Sequence, residues 1–167
     1  MNHLNQPQVY SIDGVIPVIH PSAFVDPSAV VIGDVRIGAN CYIGPNAVLR
    51  GDMSSIDIGE GSNIQDNCTL HCMTGIPTMV GAWGHIGHGA VVHSAQLETN
   101  VLIGMNAVVM DESFIGKNSA VAAMAFVKTG LKVPENSLVA GVPARVIREL
   151  STQDIQFKKA GTRCYHE

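Results

Sequence analysis

Aliphatic side chains recur every six positions along most of the chain. Ile19, Val25, Val31, Ile37, Ile43 and Leu49 open the series, and Ile58, Ile64 and Leu70 resume it after a slip of three residues. An insertion of four leads to Val80, Ile86 and Val92. A deletion of one then starts an unbroken run of eight: Leu97, Ile103, Val109, Ile115, Val121, Val127, Val133 and Val139. Four places after many of these stands a second small or apolar residue, as at Ala23, Ala29, Val35, Cys41, Ala47, Cys68, Ala90, Ala107 and Ala125. A helix repeats at about 3.6 residues and a flat strand at about 2, so neither holds a six-residue register. Ordinary alternating strands in a sandwich would lose it. Short strands joined by tight corners keep it, with the long aliphatic side chains stacked inside.

Three such sides close a triangular coil, and successive coils pair their backbones about 4.8 Å apart. The pattern predicts six to seven coils. Gly and Asn in Ile37-Gly38-Ala39-Asn40 and Ile103-Gly104-Met105-Asn106 suit corners with left-handed backbone. The period does not fix the hand of the coil. The resemblance to hexapeptide-repeat proteins implies a left-handed one, so the expected fold is all-β, a left-handed parallel β-helix.

After Val139 the segment Ala140–Arg145 leaves the repeat. Ser151 followed by Asp154 reads as a helix start and Gly161 as a stop, which predicts a short α-helix over 152–160 covering an open end or side of the solenoid. The expected organisation is a β-helix domain over 1–144 with a helix and tail, 145–167, packed on it.

Composition narrows the function. A chain of 167 residues, 46% hydrophobic and 14% charged, with net charge -4, lacks the basic footprint of a nucleic-acid binder. No run is long enough to span a membrane and the first residues do not read as a targeting signal, so a cytoplasmic location is expected. Cys41, Cys68, Cys72 and Cys164 include no CxxC pair and are expected to be reduced thiols.

The register also orders the polar residues. With residues 76–79 taken as a corner loop, His71 and His93 are second residues of sides one coil apart, and Arg50 stands one coil below His71. His88 lies around a corner from this line, with Asp66 in its own column. That geometry makes it hard for one subunit to bring all three histidines to one ion. Copies packed around a threefold axis can, with His88 supplied by a neighbour. Three imidazoles and an open position are the donor set of a catalytic zinc site. His3, His20 and His166 read as solvated side chains, and His85 as a hydrogen-bonding residue at a corner. Cys68 and Cys72 read as packing residues, as do Met105, Met110 and Met124. Asp52 and Asp66 read as partners of Arg50 in an intersubunit ion pair.

At Arg50-Gly51-Asp52, Asn63-Ile64-Gln65-Asp66, His71 and His88-Gly89-Ala90-Val91-Val92-His93 the sequence resembles the γ-class carbonic anhydrases. In detail it resembles the branch that holds the phenylacetate-degradation protein PaaY and the carnitine-operon protein CaiE. The resemblance runs from about Val9 onward. It implies a homotrimer with zinc, or in some members iron or cobalt, between subunits. His71, His88 and His93 would be ligands, and Gln65 and Asn63 would orient water and substrate. Arg50, Asp52 and Asp66 would organise the interface, and Tyr165 matches a C-terminal tyrosine that reaches the site. The activity implied is reversible hydration of CO2. The prototype's acidic proton-shuttle loop has no counterpart, since the expected loops Met53-Ser54-Ser55 and Thr74–Met79 contain no acid. The branch also suggests thioester hydrolysis of an acyl-CoA, and many proteins of this fold transfer acyl groups from CoA; a non-enzymatic scaffold is the third class.

Overall fold

The computed structural model describes residues 6–165, so His3 and His166 lie outside the described residues. Each of three flat faces is a ladder of parallel strands. On one, Gln8, Val30, Val48, Thr69, Val91, Val108 and Phe126 stand in register, which counts seven coils. The second face runs Phe24, Tyr42, Asn63, His85, Leu102, Ala120 and Leu138. The third runs Val18, Arg36, Asp57, Met79, Gln96, Phe114 and Lys132. Strands Val30–Ile37 and Val48–Ile58 continue round a corner and join the first and third faces into one twelve-stranded sheet.

The six-residue series is the core. Val31, Leu49, Leu70, Val92, Val109 and Val127 form one column and Ile43, Ile64, Ile86, Ile103, Val121 and Val139 another, all fully buried. Burying each such side chain contributes about 1.5–3 kcal/mol before ordering costs. The small residues four places on, such as Ala47, Cys68, Ala90 and Ala107, are buried at the corners.

The corners divide the work between two residue types. Asn40, Asn46, Asn67, Asn100, Asn106, Asn118 and Asn136 adopt left-handed backbone with φ between 54° and 61°. Gly38 and Gly104 do not, contrary to expectation. A Cβ on Gly104 would stand 2.3 Å from the backbone nitrogen of Ala123 in the next coil, so this glycine allows close approach.

The interruptions also differ from the sequence reading. Met53–Ser55 is not a loop but part of strand Val48–Ile58, where the extra residues shift the register opposite Gly33 and Val35. Nor is 76–79 the corner loop. The excess is a tight turn closed by a bridge between Met73 and Ile76, and Thr78–Val80 is already a strand. Met105 and Met124 are 53% and 67% exposed and do not pack inside this chain.

Strand Ala144–Glu149 folds back antiparallel on Ser137–Gly141 and ends the second face. The helix follows over Thr152–Arg163. Its start is as expected: the Ser151 side chain accepts from the Asp154 backbone N–H and the Asp154 carboxylate accepts from the Ser151 N–H. It runs through Gly161 rather than stopping there. The helix lies along the second face, where Lys158 donates to Trp83 O and Asn100 Oδ1, and Thr162 is its buried residue. Among the described residues no helix is long and apolar enough to cross a membrane.

Candidate functional site

The parallel ladder sets His71 directly opposite His93. Their rings tilt by 55° with centroids 5.0 Å apart, and His71 Nδ1 faces His93 Nε2 at 3.0 Å. Each outer nitrogen meets a carboxylate: His71 Nε2 is 2.9 Å from Asp52 Oδ1, and His93 Nδ1 bonds Asp111. A carboxylate can only accept, so it fixes the proton of a neutral imidazole on the nitrogen it faces. The two inner nitrogens are then left with lone pairs pointing at one another. A cation between them relieves that repulsion.

His88 lies around the corner, as its register requires. Its Nδ1 is 2.5 Å from Asp66 Oδ2, and the side chain is 47% exposed, against 13% for His71. An aspartate-backed imidazole thus occurs three times. Among the described residues, no group of three metal-ligating side chains of this one chain converges on a point. Two ring nitrogens 3.0 Å apart, each ring backed by a carboxylate, lie close to the ~3.3 Å that separates two ligands of a tetrahedral ion with Zn–N distances of about 2.0–2.1 Å.

Arg50 stands in the column of His71, but its ion pair is with Asp52 of the same chain, at 2.5 Å. Asp66 pairs with His88 within the chain. Burial opposes ionisation of Asp52, yet hydrogen bonds from Arg50 and His71 outweigh it and hold its carboxyl below the usual range. Cys72 is fully buried with Sγ donating to Ser54 O, and Cys68 donates to Gly87 O, so both are packing residues.

Asn63 and Gln65 are buried next to this corner. Gln65 Nε2 donates to Asn63 Oδ1 at 2.9 Å and to His85 Nε2 at 2.8 Å, while Gln65 Oε1 accepts from the backbone N–H of His88 at 3.2 Å. His85 is thus a hydrogen-bonding residue, although it stands in strand His85–Ile86 on the second face and not at a corner as the spacing suggested. Burial, with Lys158 and His88 adding to it, pushes its ring down to about 4. Tyr165 packs edge-on to His85 and against Tyr42, with centroids at 5.7 and 5.2 Å, on the side of the amides rather than beside His71 and His93.

Sequence reasoning missed Asp111 and left Thr162 without a role. Register arithmetic places Met110 above His93, because Val92 pairs with Val109. The chain turns at that point and Asp111 takes the ring instead. The one-residue deletion near Ser94 is the trace of this in the sequence.

A seven-coil parallel solenoid with a histidine-aspartate corner defines a class, the left-handed β-helices of hexapeptide repeats. Residues 16–51 match the profile of bacterial transferase hexapeptide (six repeats), and residues 34–72 that of the hexapeptide repeat of succinyl-transferase. The chain is 48% identical to the carnitine operon protein CaiE of Proteus sp. (strain LE138) over 159 residues, 95% of this chain and 81% of the relative. It belongs to the hexapeptide-repeat family, in the branch of CaiE.

Two solved structures share the fold throughout at 34% identity. One is the product of the BC4754 gene of Bacillus cereus, described as a candidate acetyltransferase, with a TM-score of 0.94 over 96% of this chain and 93% of that one. The other is a hexapeptide transferase family protein from Anaplasma phagocytophilum, with a TM-score of 0.92 over 95% and 94%. These descriptions name transferases, so a carbonic anhydrase reading rests on the site residues alone.

Proposed function

We propose that the chain forms a metal-dependent hydratase acting on CO2, with each site shared between two copies of a homotrimer. The observation that carries it is the threefold repetition of an aspartate-backed histidine, two of them already face to face. His71 and His93 of one copy and His88 of the next would hold the ion, zinc by the chemistry of three imidazoles, with iron or cobalt also accommodated. Such an ion supplies Lewis acidity that makes hydroxide available near neutral pH.

The chain's own residues do the rest. Asp52, Asp66 and Asp111 fix the imidazole tautomers. Asn63 and Gln65 form a rigid amide pair that orients water and substrate. Arg50, held by Asp52, places a cation beside the histidine column, suited to an anionic product such as bicarbonate. Tyr165 packs against His85, which bonds the Gln65 amide. No acid stands in Met53–Ser55 or in the Met73–Ile76 turn, so proton export falls to solvent and buffer, and turnover should respond to buffer concentration.

Acyl transfer from CoA, or hydrolysis of an acyl-CoA thioester, is the second reading. It is favoured by the transferase profiles and by the description of the B. cereus relative. Metal content separates the readings from metal-free acyl transfer: the hydratase carries one ion per chain in an assembly of three. His88→Ala should then abolish metal binding at every site while leaving the fold intact. Zinc-loaded protein that fails to hydrate CO2 above background but cleaves aromatic acyl-CoA esters would establish the thioesterase. Metal-free protein that transfers acyl groups would establish the transferase.

A further inference from the structure

The buried amide of Gln65 has fewer free bonds than its position beside the site suggests. The backbone N–H of His88 can only donate, and it points at Gln65 Oε1 from 3.2 Å. That settles which end of the amide is oxygen. Both protons of the Gln65 NH2 group are then committed, one to Asn63 Oδ1 at 2.9 Å and one to His85 Nε2 at 2.8 Å. His85 must accept at Nε2, so a neutral ring carries its proton on Nδ1.

Nδ1 faces helix Thr152–Arg163. Thr162 Oγ1 is 3.4 Å away, and this hydroxyl gives its own proton to Lys158 O at 3.1 Å, which leaves its oxygen to accept from the ring. Asn63 Nδ2 lies 3.3 Å from the same nitrogen and, being a donor, opposes a proton there; the shorter 2.8 Å contact at Nε2, where Gln65 can only donate, outweighs it. Thr162 is 1% exposed and Tyr165 closes the ring edge, so the ring is clamped from the helix side.

We propose that His85 is a positioning residue, clamped by the C-terminal helix, that locks the Gln65 amide so that only a lone pair of its carbonyl oxygen remains for the site. Gln65 then accepts a hydrogen bond from water or hydroxyl and cannot donate to an oxyanion on the substrate. The helix, nearly eighty residues away in sequence, is part of the machinery and not only a cover for the sheet. The functional half of this proposal rests on the hydratase or thioesterase reading above, in which Gln65 faces the reacting species.

Two measurements test it. In zinc-loaded, 15N-labelled protein, nitrogen NMR should find His85 Nε2 without a proton and Nδ1 with one; a protonated Nε2 overturns the assignment. In turnover, His85→Leu should lower kcat by about five- to tenfold, the worth of one hydrogen bond of about 1 kcal/mol, with KM and zinc content unchanged. His85→Gln, whose Oε1 reaches the place of Nε2, should restore most of it. Thr162→Val should lower kcat in the same direction from a residue outside the amide pair. Wild-type kcat in both His85→Leu and Thr162→Val, or no rescue by glutamine, overturns the positioning role. If wild-type zinc protein turns over neither CO2 nor acyl-CoA esters, the functional reading fails instead, and the tautomer measurement alone decides the role of His85.

Discussion

Asp111 offers the sharpest test of the metal reading, because nothing but the three-dimensional structure connects it to the site. Its carboxylate bonds His93 Nδ1, and the two side chains are 15% and 25% exposed, so water competes weakly for the bond. Asp111→Asn preserves the shape and an acceptor oxygen but removes the charge. Hydrogen bonds to a charged acceptor are roughly twice as strong as neutral ones, and the loss of a histidine's outer partner costs about 10–100-fold in metal affinity. The asparagine variant should fall near the lower limit, about tenfold or ~1.4 kcal/mol, and Asp111→Ala near the upper, ~2.7 kcal/mol. Competition for zinc against a chromophoric chelator at fixed pH measures both. A thermal melt of the metal-free variants checks that the fold is intact. Zinc affinity within twofold of wild type in both folded variants would refute the argument, since His93 would then not be a ligand oriented from behind.

Other outcomes follow from the core and the clamp. Ile86→Ala removes a fully buried side chain from the middle of a column and should cost about 2–5 kcal/mol in urea unfolding; a loss under 1 kcal/mol would mean that neighbouring coils collapse into the gap. Gly104→Ala forces a methyl group against the Ala123 backbone and should destabilise the fold by more than the ~1 kcal/mol that alanine gains elsewhere over glycine, lowering the melting temperature. The ring of His85 lies near 4 in the folded chain against an ordinary 6.5, so the unfolded chain takes up the proton first as pH falls. Its contribution is complete above about 6.5 and is lost between 6.5 and 4, by about 3 kcal/mol in total. Urea unfolding at pH 7 and pH 4.5 should show a larger loss for wild type than for His85→Gln, and equal losses would contradict the buried neutral ring.

The six-residue period was enough to determine the solenoid. A parallel coil can only stack at its own repeat length, so the spacing dictates which residues share a column. That is why Arg50, His71 and His93 fall on one line and Asp66 below His88, as the structure has them. It also explains why the errors cluster at the interruptions. An insertion can be absorbed as a loop, a strand extension or a turn without changing the columns beyond it. The Met53–Ser55 strand, the Met73–Ile76 turn and the substitution of Asp111 for Met110 above His93 are three such choices, and each was decided by packing between coils. The glycine corners were misread for a related reason, since close approach to the next coil leaves no mark in local backbone preference.

The pairing of charges and the place of the helix belong to tertiary structure alone. Spacing puts Asp52 two residues from Arg50, but only the folded face shows it bonding both Arg50 and His71. Ser151 and Asp154 announce a helix, whereas the face it covers depends on Lys158 and Thr162 finding Trp83, Asn100 and His85 across long stretches of chain. Repeats write their geometry into sequence because each coil copies the last. Contacts made once, between segments with no common period, leave no such copy to read.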